Sequence, residues 1–144
     1  MELLRLVALD PEDLAVLSAH LQDALVRVSD LTYLCRDRRF ALVARRFDWE
    51  SDEQSRRRLT GLHFDHVTKV RTRGIDRTKK AAPLDLLAIT FDEGTAPSGA
   101  ITLVFAGGAA IQLEVECIEA QMKDLGPVWA AKARPDHPGA PGPL

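Results

Sequence analysis

The nearest approach to a metal constellation is "HFDH", where His63, Asp65 and His66 fall within four residues. On an extended strand His63 and Asp65 project to one face and His66 to the other, so all three converge only across a bulge. Zinc also demands three or four nitrogen, sulfur or carboxylate donors, and the extra ligands would have to come from Cys35 or His20 through tertiary proximity alone. The motif therefore reads as the polar outward side of a half-exposed strand, and no metal or cofactor is assigned. Cys117 stands beside Glu116 and Glu119; neighbouring carboxylates raise a thiol's pKa and leave less nucleophilic thiolate, although a helix start would push the other way. The chain has no G-x-S-x-G elbow, and "FAGGAA" lacks the Gly-Lys-Ser/Thr of a phosphate loop and joins two strands. No residue is given a catalytic role, and the balance leans away from an enzyme.

Charge is more informative. The net charge of -2 hides a segregation: residues 36–80 hold fourteen Lys/Arg against seven Asp/Glu, a net of +7, so the remainder carries -9. Opposite fields on one small domain can steer a charged partner or pair within the fold. "RRFDWESDEQSRRRL", residues 45–59, is nearly self-neutralising, with five cations and four acids up to Arg58. Residues 69–80 are different: six cations face only Asp76. Lys69, Arg71 and Arg73 alternate as on one face of a strand, and Arg77, Lys79 and Lys80 extend the row at a turn. Together with Arg56, Arg57, Arg58 and the nearby Trp49 they form a candidate polyanion surface, RNA included. Against it stand an isoelectric point near 6.1 and the missing aromatic signature of an RNA-recognition sheet.

The elements that would position these residues follow from periodicity. "LLRLVALDPEDLAVLSAHLQDA" gives a short strand, Leu3 to Ala8, and then a helix start in which Asp10 caps, Pro11 takes the first position and Glu12 and Asp13 complement the positive end. Leu14, Leu17, Leu21 and Ala24 share a face. From Leu25 the period falls to two. "LVRVSDLTYL" and "RRFALVARRFDWE" flank a turn at Arg36–Arg38, and the second strand is apolar on both phases, as a central strand is. "RRRLTGLHFDHVTKVRTRG" reads as one long strand with a phase slip before Val67, a bulge signal. "LDLLAITFDEG" follows, and then Ile101, Leu103 and Phe105 answer Ile111, Leu113 and Val115 across Gly107-Gly108, a pair that supplies positive φ. A last helix is expected from about Glu116, because Val115, Ile118, Met122 and Leu125 step by three and four with Trp129 following.

These elements give an α+β domain: a curved antiparallel sheet, a strand meander like a pleckstrin-homology-like roll, packed by an N-terminal and a C-terminal helix. The expected domain spans residues 1–133, and the Pro/Gly-rich residues 134–144 form a flexible tail. At 144 residues, 46% hydrophobic and 28% charged, the chain is long enough for its own core. Its longest apolar runs are far short of the roughly 20 residues that cross a bilayer. "MELLRLVALDPEDL" carries acids where a secretory leader carries a basic region, and Cys35 and Cys117 form no CxxC, so a cytoplasmic protein with reduced thiols is expected.

Five segments, "LVALDPEDLAVLSAHLQDA", "RRFALVARRFDWE", "LTGLHFDHV", "RGIDR" and "LEVECIEAQMKDLGPVWA", together resemble a family of small bacterial proteins defined only as a domain of unknown function. The resemblance covers roughly residues 3–135 and implies a stand-alone domain; it brings no activity, cofactor or site residue. The expected role is a non-catalytic interaction module that docks a protein partner or its own copy through a sheet or helix surface. Trp49 and Trp129 are the first anchors to test, although Trp129 has a plainer role as core packing under the last helix. The alternatives are the polyanion surface and an enzyme in which His63, His66 or Cys117 meets carboxylates in a pocket.

Overall fold

A computed structural model of the chain describes residues 3–47 and 57–127. Strand β1 (Arg5–Ala8) leads into helix α1 (Pro11–His20). The helix begins where the sequence requires it: the Asp13 N–H donates to the Asp10 carboxylate at 2.8 Å. The Asp13 carboxylate in turn accepts from the Leu9 N–H at 3.1 Å, a reciprocal cap. Leu14, Leu17 and Leu21 are buried, and the Ser18 hydroxyl accepts from the Ile89 N–H, which ties the helix to the sheet.

Eight further strands follow: β2 (Ala24–Leu34), β3 (Arg39–Phe47), β4 (Arg57–Phe64), β5 (Val67–Arg73), β6 (Pro83–Glu93), β7 (Gly99–Phe105), β8 (Ala110–Val115) and β9 (Ala120–Pro127). They join β1 in one antiparallel sheet ordered β1-β9-β4-β3-β2-β6-β7-β8-β5. No helix among the described residues is long and apolar enough to cross a membrane.

The order forces the sheet to roll. β4 is third and β5 ninth, yet only Asp65 and His66 separate them, and three Cα–Cα links span at most roughly 11 Å. The opposite regions of the sheet must therefore meet at that corner. They do so as a two-stranded ribbon: β4 pairs with β9, β5 pairs with β8, and both strands turn together. The Asp65 N–H donates to the Glu119 carbonyl and the Glu116 N–H to the His66 carbonyl, while His66 takes the left-handed conformation (φ 60°). What the sequence suggests as a bulge in one long strand is thus a corner between two. The rolled interior holds Phe64, Phe105, Leu62, Leu103, Ile111 and Met122, all at 2% exposure or less.

The β7–β8 hairpin has the expected register, with Ile101 opposite Leu113 and Leu103 opposite Ile111. Gly107 and Gly108 turn at φ 82° and 86°, values that penalise any Cβ. In β6 a register shift between Leu86 and Ala88 sends Leu87 outward, so Leu86 and Ile89 fill the core.

The C-terminal helix expected from Glu116 is corrected to a turn followed by β9. In β9 the period is two: Ala120, Met122 and Asp124 are buried while Gln121, Lys123 and Leu125 are exposed. Asp124 concealed the pattern, because a buried acid looks like an outward-facing one. β1 and β4 supply backbone partners on both sides of the strand, which a helix there would forgo. With those residues in a strand, the capping helix on which the pleckstrin-homology-like analogy rests is gone. Trp49, Trp129, Arg56 and the expected tail at 134–144 lie outside the described residues.

Candidate functional site

Rolling leaves one side of the sheet unsewn. β2 pairs with β6 only through Ala24–Arg27, and the Val28 and Ser29 N–H groups then donate to the carbonyls of Ala82 and Lys80. From Leu31 to Leu34 it keeps β3 on one side, and no strand among the described residues occupies the other. β5 is likewise the last strand of the order. A side chain links it to β2, the Tyr33 hydroxyl donating to the Val67 carbonyl at 2.9 Å, and the Val67 N–H donates to the Arg38 carbonyl just past the end of β2. Burial, then the neighbouring Cys35, push the Tyr33 phenol above its ordinary range, so it persists as a donor.

Between these two edges lies a slot of about 290 Å³. Its walls are apolar: Leu31, Tyr33, Val70 and Ile75 are only half-buried above the core residues Phe40 and Ile111. Arg77 and Lys80 line it and are exposed. β5 alternates across it, with Val70 and Thr72 lining the slot and Lys69, Arg71 and Arg73 exposed on the opposite phase. Arg71 Nη2 lies 3.2 Å from the Glu114 carboxylate, both side chains about half exposed.

Of the remaining expected basic residues, Arg57 and Arg58 are placed elsewhere. Arg57 donates from Nη1 to the carbonyls of Asp23 and Arg45 at 3.2 and 3.0 Å and sits 3.8 Å over the Phe47 ring. Arg58 is 5% exposed on the core side of β4. The structure therefore brings Lys69, Arg71, Arg73, Arg77 and Lys80 around one seam and holds Arg57 and Arg58 on a strand six positions away in the sheet order.

A second concavity, about 460 Å³, crosses the outer face of β2, β3, β4 and β9. Ala41, Val43 and Gly61 give it a low floor beside Leu125, and Asp30, Lys123 and His63 stand around it. A Cβ on Gly61 would meet the Leu125 side chain at 3.6 Å, an ordinary contact, so the glycine deepens the groove without being forced by the backbone. At one end Arg39 Nε donates to Asp65 Oδ1 at 2.7 Å. His63 Nδ1 lies 3.3 Å from Asp65 Oδ2, out of hydrogen-bond alignment. An imidazole next to a carboxylate is one half of a general-base arrangement, but the described lining brings no serine or cysteine to it. His66 faces away, 2.7 Å from Glu119 and 3.9 Å from Glu116. "HFDH" thus separates into two pairs, and no group of three metal-ligating side chains forms among the described residues. Burial, then Glu119 and Glu116, push the half-buried Cys117 thiol up.

Hydrophobic character gives no hint of the buried polar cluster at the far end of the interior. Arg46 grips Asp124 in a two-pronged pair, Nε to Oδ1 at 2.9 Å and Nη2 to Oδ2 at 2.7 Å. The Thr60 hydroxyl and the Leu4 N–H donate to the same carboxylate at 2.8 and 2.9 Å. Burial alone would raise the Asp124 pKa; the hydrogen bonds from Arg46, Leu4 and Thr60 outweigh it and hold the carboxyl below its ordinary range. The signal available in sequence is parity: Arg46 continues Phe40, Leu42 and Ala44 on the buried phase.

Fold and surfaces together define an α+β domain, a rolled nine-stranded antiparallel sheet with one α-helix among the described residues. The chain belongs to the family described as protein of unknown function (DUF2948), whose model matches residues 4–137. No curated protein and no solved structure matches it.

Proposed function

We propose that this chain is a non-catalytic, cytoplasmic interaction module that docks an extended segment of a partner protein along the seam between β5 and the outer half of β2. The observation that carries the reading is an exposed edge strand lying directly beside an apolar slot. An edge offers a row of backbone donors and acceptors, and alternate side chains of an added strand would reach the slot. Two free cysteines support a reducing compartment. The test is nuclear magnetic resonance titration of the isotope-labelled chain with a panel of short extended peptides of varied charge. Amide shifts gathering on residues 31–34 and 68–73 support the reading; shifts gathering on Ala41, Gly61 and His63 transfer the site to the outer groove and overturn it.

A second reading, polyanion binding, is favoured by the exposure of Lys69, Arg71, Arg73, Arg77, Lys79 and Lys80. It predicts retention on heparin at low salt and a steep loss of affinity as salt rises. Elution in the void at low salt removes it.

A further inference from the structure

Cations on an edge strand have a bland explanation: charged side chains, Lys above all, keep unpaired edges from pairing with other chains. That explains the outward phase of β5. It leaves unexplained why the strand's inward phase borders a slot in which Leu31, Tyr33, Val70 and Ile75 stay half-buried. It also leaves Arg77 and Lys80 at the same opening, carried there by a loop whose Lys80 carbonyl accepts from the Ser29 N–H of β2.

Both facts are met by one occupant. Building on the reading above, we propose that the seam receives an acidic extended peptide as a tenth strand on β5, its apolar side chains alternating into the slot and its carboxylates lying beside Lys69, Arg71 and Arg73. Side chains in a strand alternate faces at about 3.3 Å per residue. A partner of roughly seven residues therefore matches β5 (Val67–Arg73) and needs acids at every second position with aliphatic residues between them. Arg77 and Lys80 reinforce the preference at the slot's opening. A second copy of this chain fits worse. Two β5 edges set antiparallel would place Lys69, Arg71 and Arg73 against one another, and the other edge, β1 ("RLVA"), brings Arg5 and no acid.

Glu114 sharpens the expectation. It lies on β8 opposite Lys69 and 3.2 Å from Arg71, so the free protein already neutralises part of the strip. An incoming carboxylate competes with it, and removing it strengthens binding of an acidic ligand alone.

The experiment measures affinity by fluorescence anisotropy for labelled peptides of about seven residues: alternating Val/Glu, Val/Ser and Val/Lys, and Val/Glu carrying N-methyl groups on alternate amides. Val/Glu is expected to bind the wild-type chain, and K69E/R71E/R73E to bind it about tenfold or more weaker while gaining affinity for Val/Lys. E114Q is expected to bind Val/Glu about two- to threefold tighter with Val/Ser unchanged. The N-methylated peptide is made in two forms, because alternate amides of a strand point to one side; the form methylated on the amides that face β5 keeps every charge and loses strand pairing, so it fails to bind. Equal binding of Val/Ser and Val/Glu, with shifts still on β5, overturns the acidic preference and leaves the docking reading intact. Equal binding of both N-methylated forms overturns strand addition. A single-stranded oligonucleotide that outcompetes Val/Glu, or a Val/Glu-independent dimer, overturns the proposal in favour of a nucleic acid or a second copy. Melting temperature of each variant confirms that the exposed substitutions leave the fold in place.

Discussion

Asp124 is a carboxylate with no more than 1% of its surface in water, held by four hydrogen bonds from three residues. Removing one partner of such a pair strands the other charge in the interior at a cost of about 3–5 kcal/mol, a large share of the roughly 5–15 kcal/mol that holds a domain together. D124A and R46A are therefore each expected to shift the urea midpoint strongly. R46M/D124L, apolar at both positions, should be more stable than either single variant although it leaves the Leu4 N–H without its acceptor. A double variant no better than the worse single would deny that charge burial dominates. The pH dependence follows from the same contacts. An unfolded aspartate titrates near 3.9 and the folded one lower. Its stabilisation is thus complete above about pH 4 and disappears as pH falls through the folded value. R46M/D124L should show a flatter stability profile below pH 4 than the wild-type chain. At this scale the sequence is least transparent: Arg46 and Arg45 look alike in "ARRF", and only the parity of β3 separates the buried one from its half-buried neighbour.

Elements declare themselves where local chemistry and burial agree. Helix α1 was readable because cap, proline, acids and leucine stripe are all local signals, and the β7–β8 hairpin because both strands alternate around a glycine pair. β9 is hidden in the sequence because its third inward residue is an acid with partners far along the chain, on β3 and β4. The β4–β5 corner looks like a bulge in sequence because a phase slip does not say whether the chain continues in the same ladder or starts another. The cap of α1 offers a clean test of local logic. D10A removes the acceptor for the Asp13 N–H and should cost about 1 kcal/mol, lowering the melting temperature by about 3–4 °C. D10N, which keeps an acceptor at the cap, should recover most of it. An unshifted melt for D10A would mean that α1 is held by its packing on β1 and β6 without help from the cap.

For the whole molecule, strand order decides where a function can reside, and order is what periodicity does not encode. Lys69, Arg71 and Arg73 were legible as a row of cations. The slot beside them was not, since it exists only because the sheet rolls far enough to bring β5 opposite the unpaired half of β2 and not far enough to join them. Tyr33 spans that distance. Its hydroxyl does with a side chain what a backbone ladder does elsewhere in the sheet, and it reaches the end of β5 next to the corner. Y33F keeps the ring and deletes the hydrogen bond to the Val67 carbonyl, for a net loss of roughly 0.5–1.5 kcal/mol. If Tyr33 sets the width of the seam, the loss will be local: amide hydrogen exchange in Y33F should quicken across residues 68–73 while Ile101–Phe105, paired on both sides within the sheet, keep their protection. Uniform acceleration would mean that Tyr33 supports the global fold, and no change at β5 would mean that the β8 ladder and the Val67 N–H bond to the Arg38 carbonyl fix the edge without it.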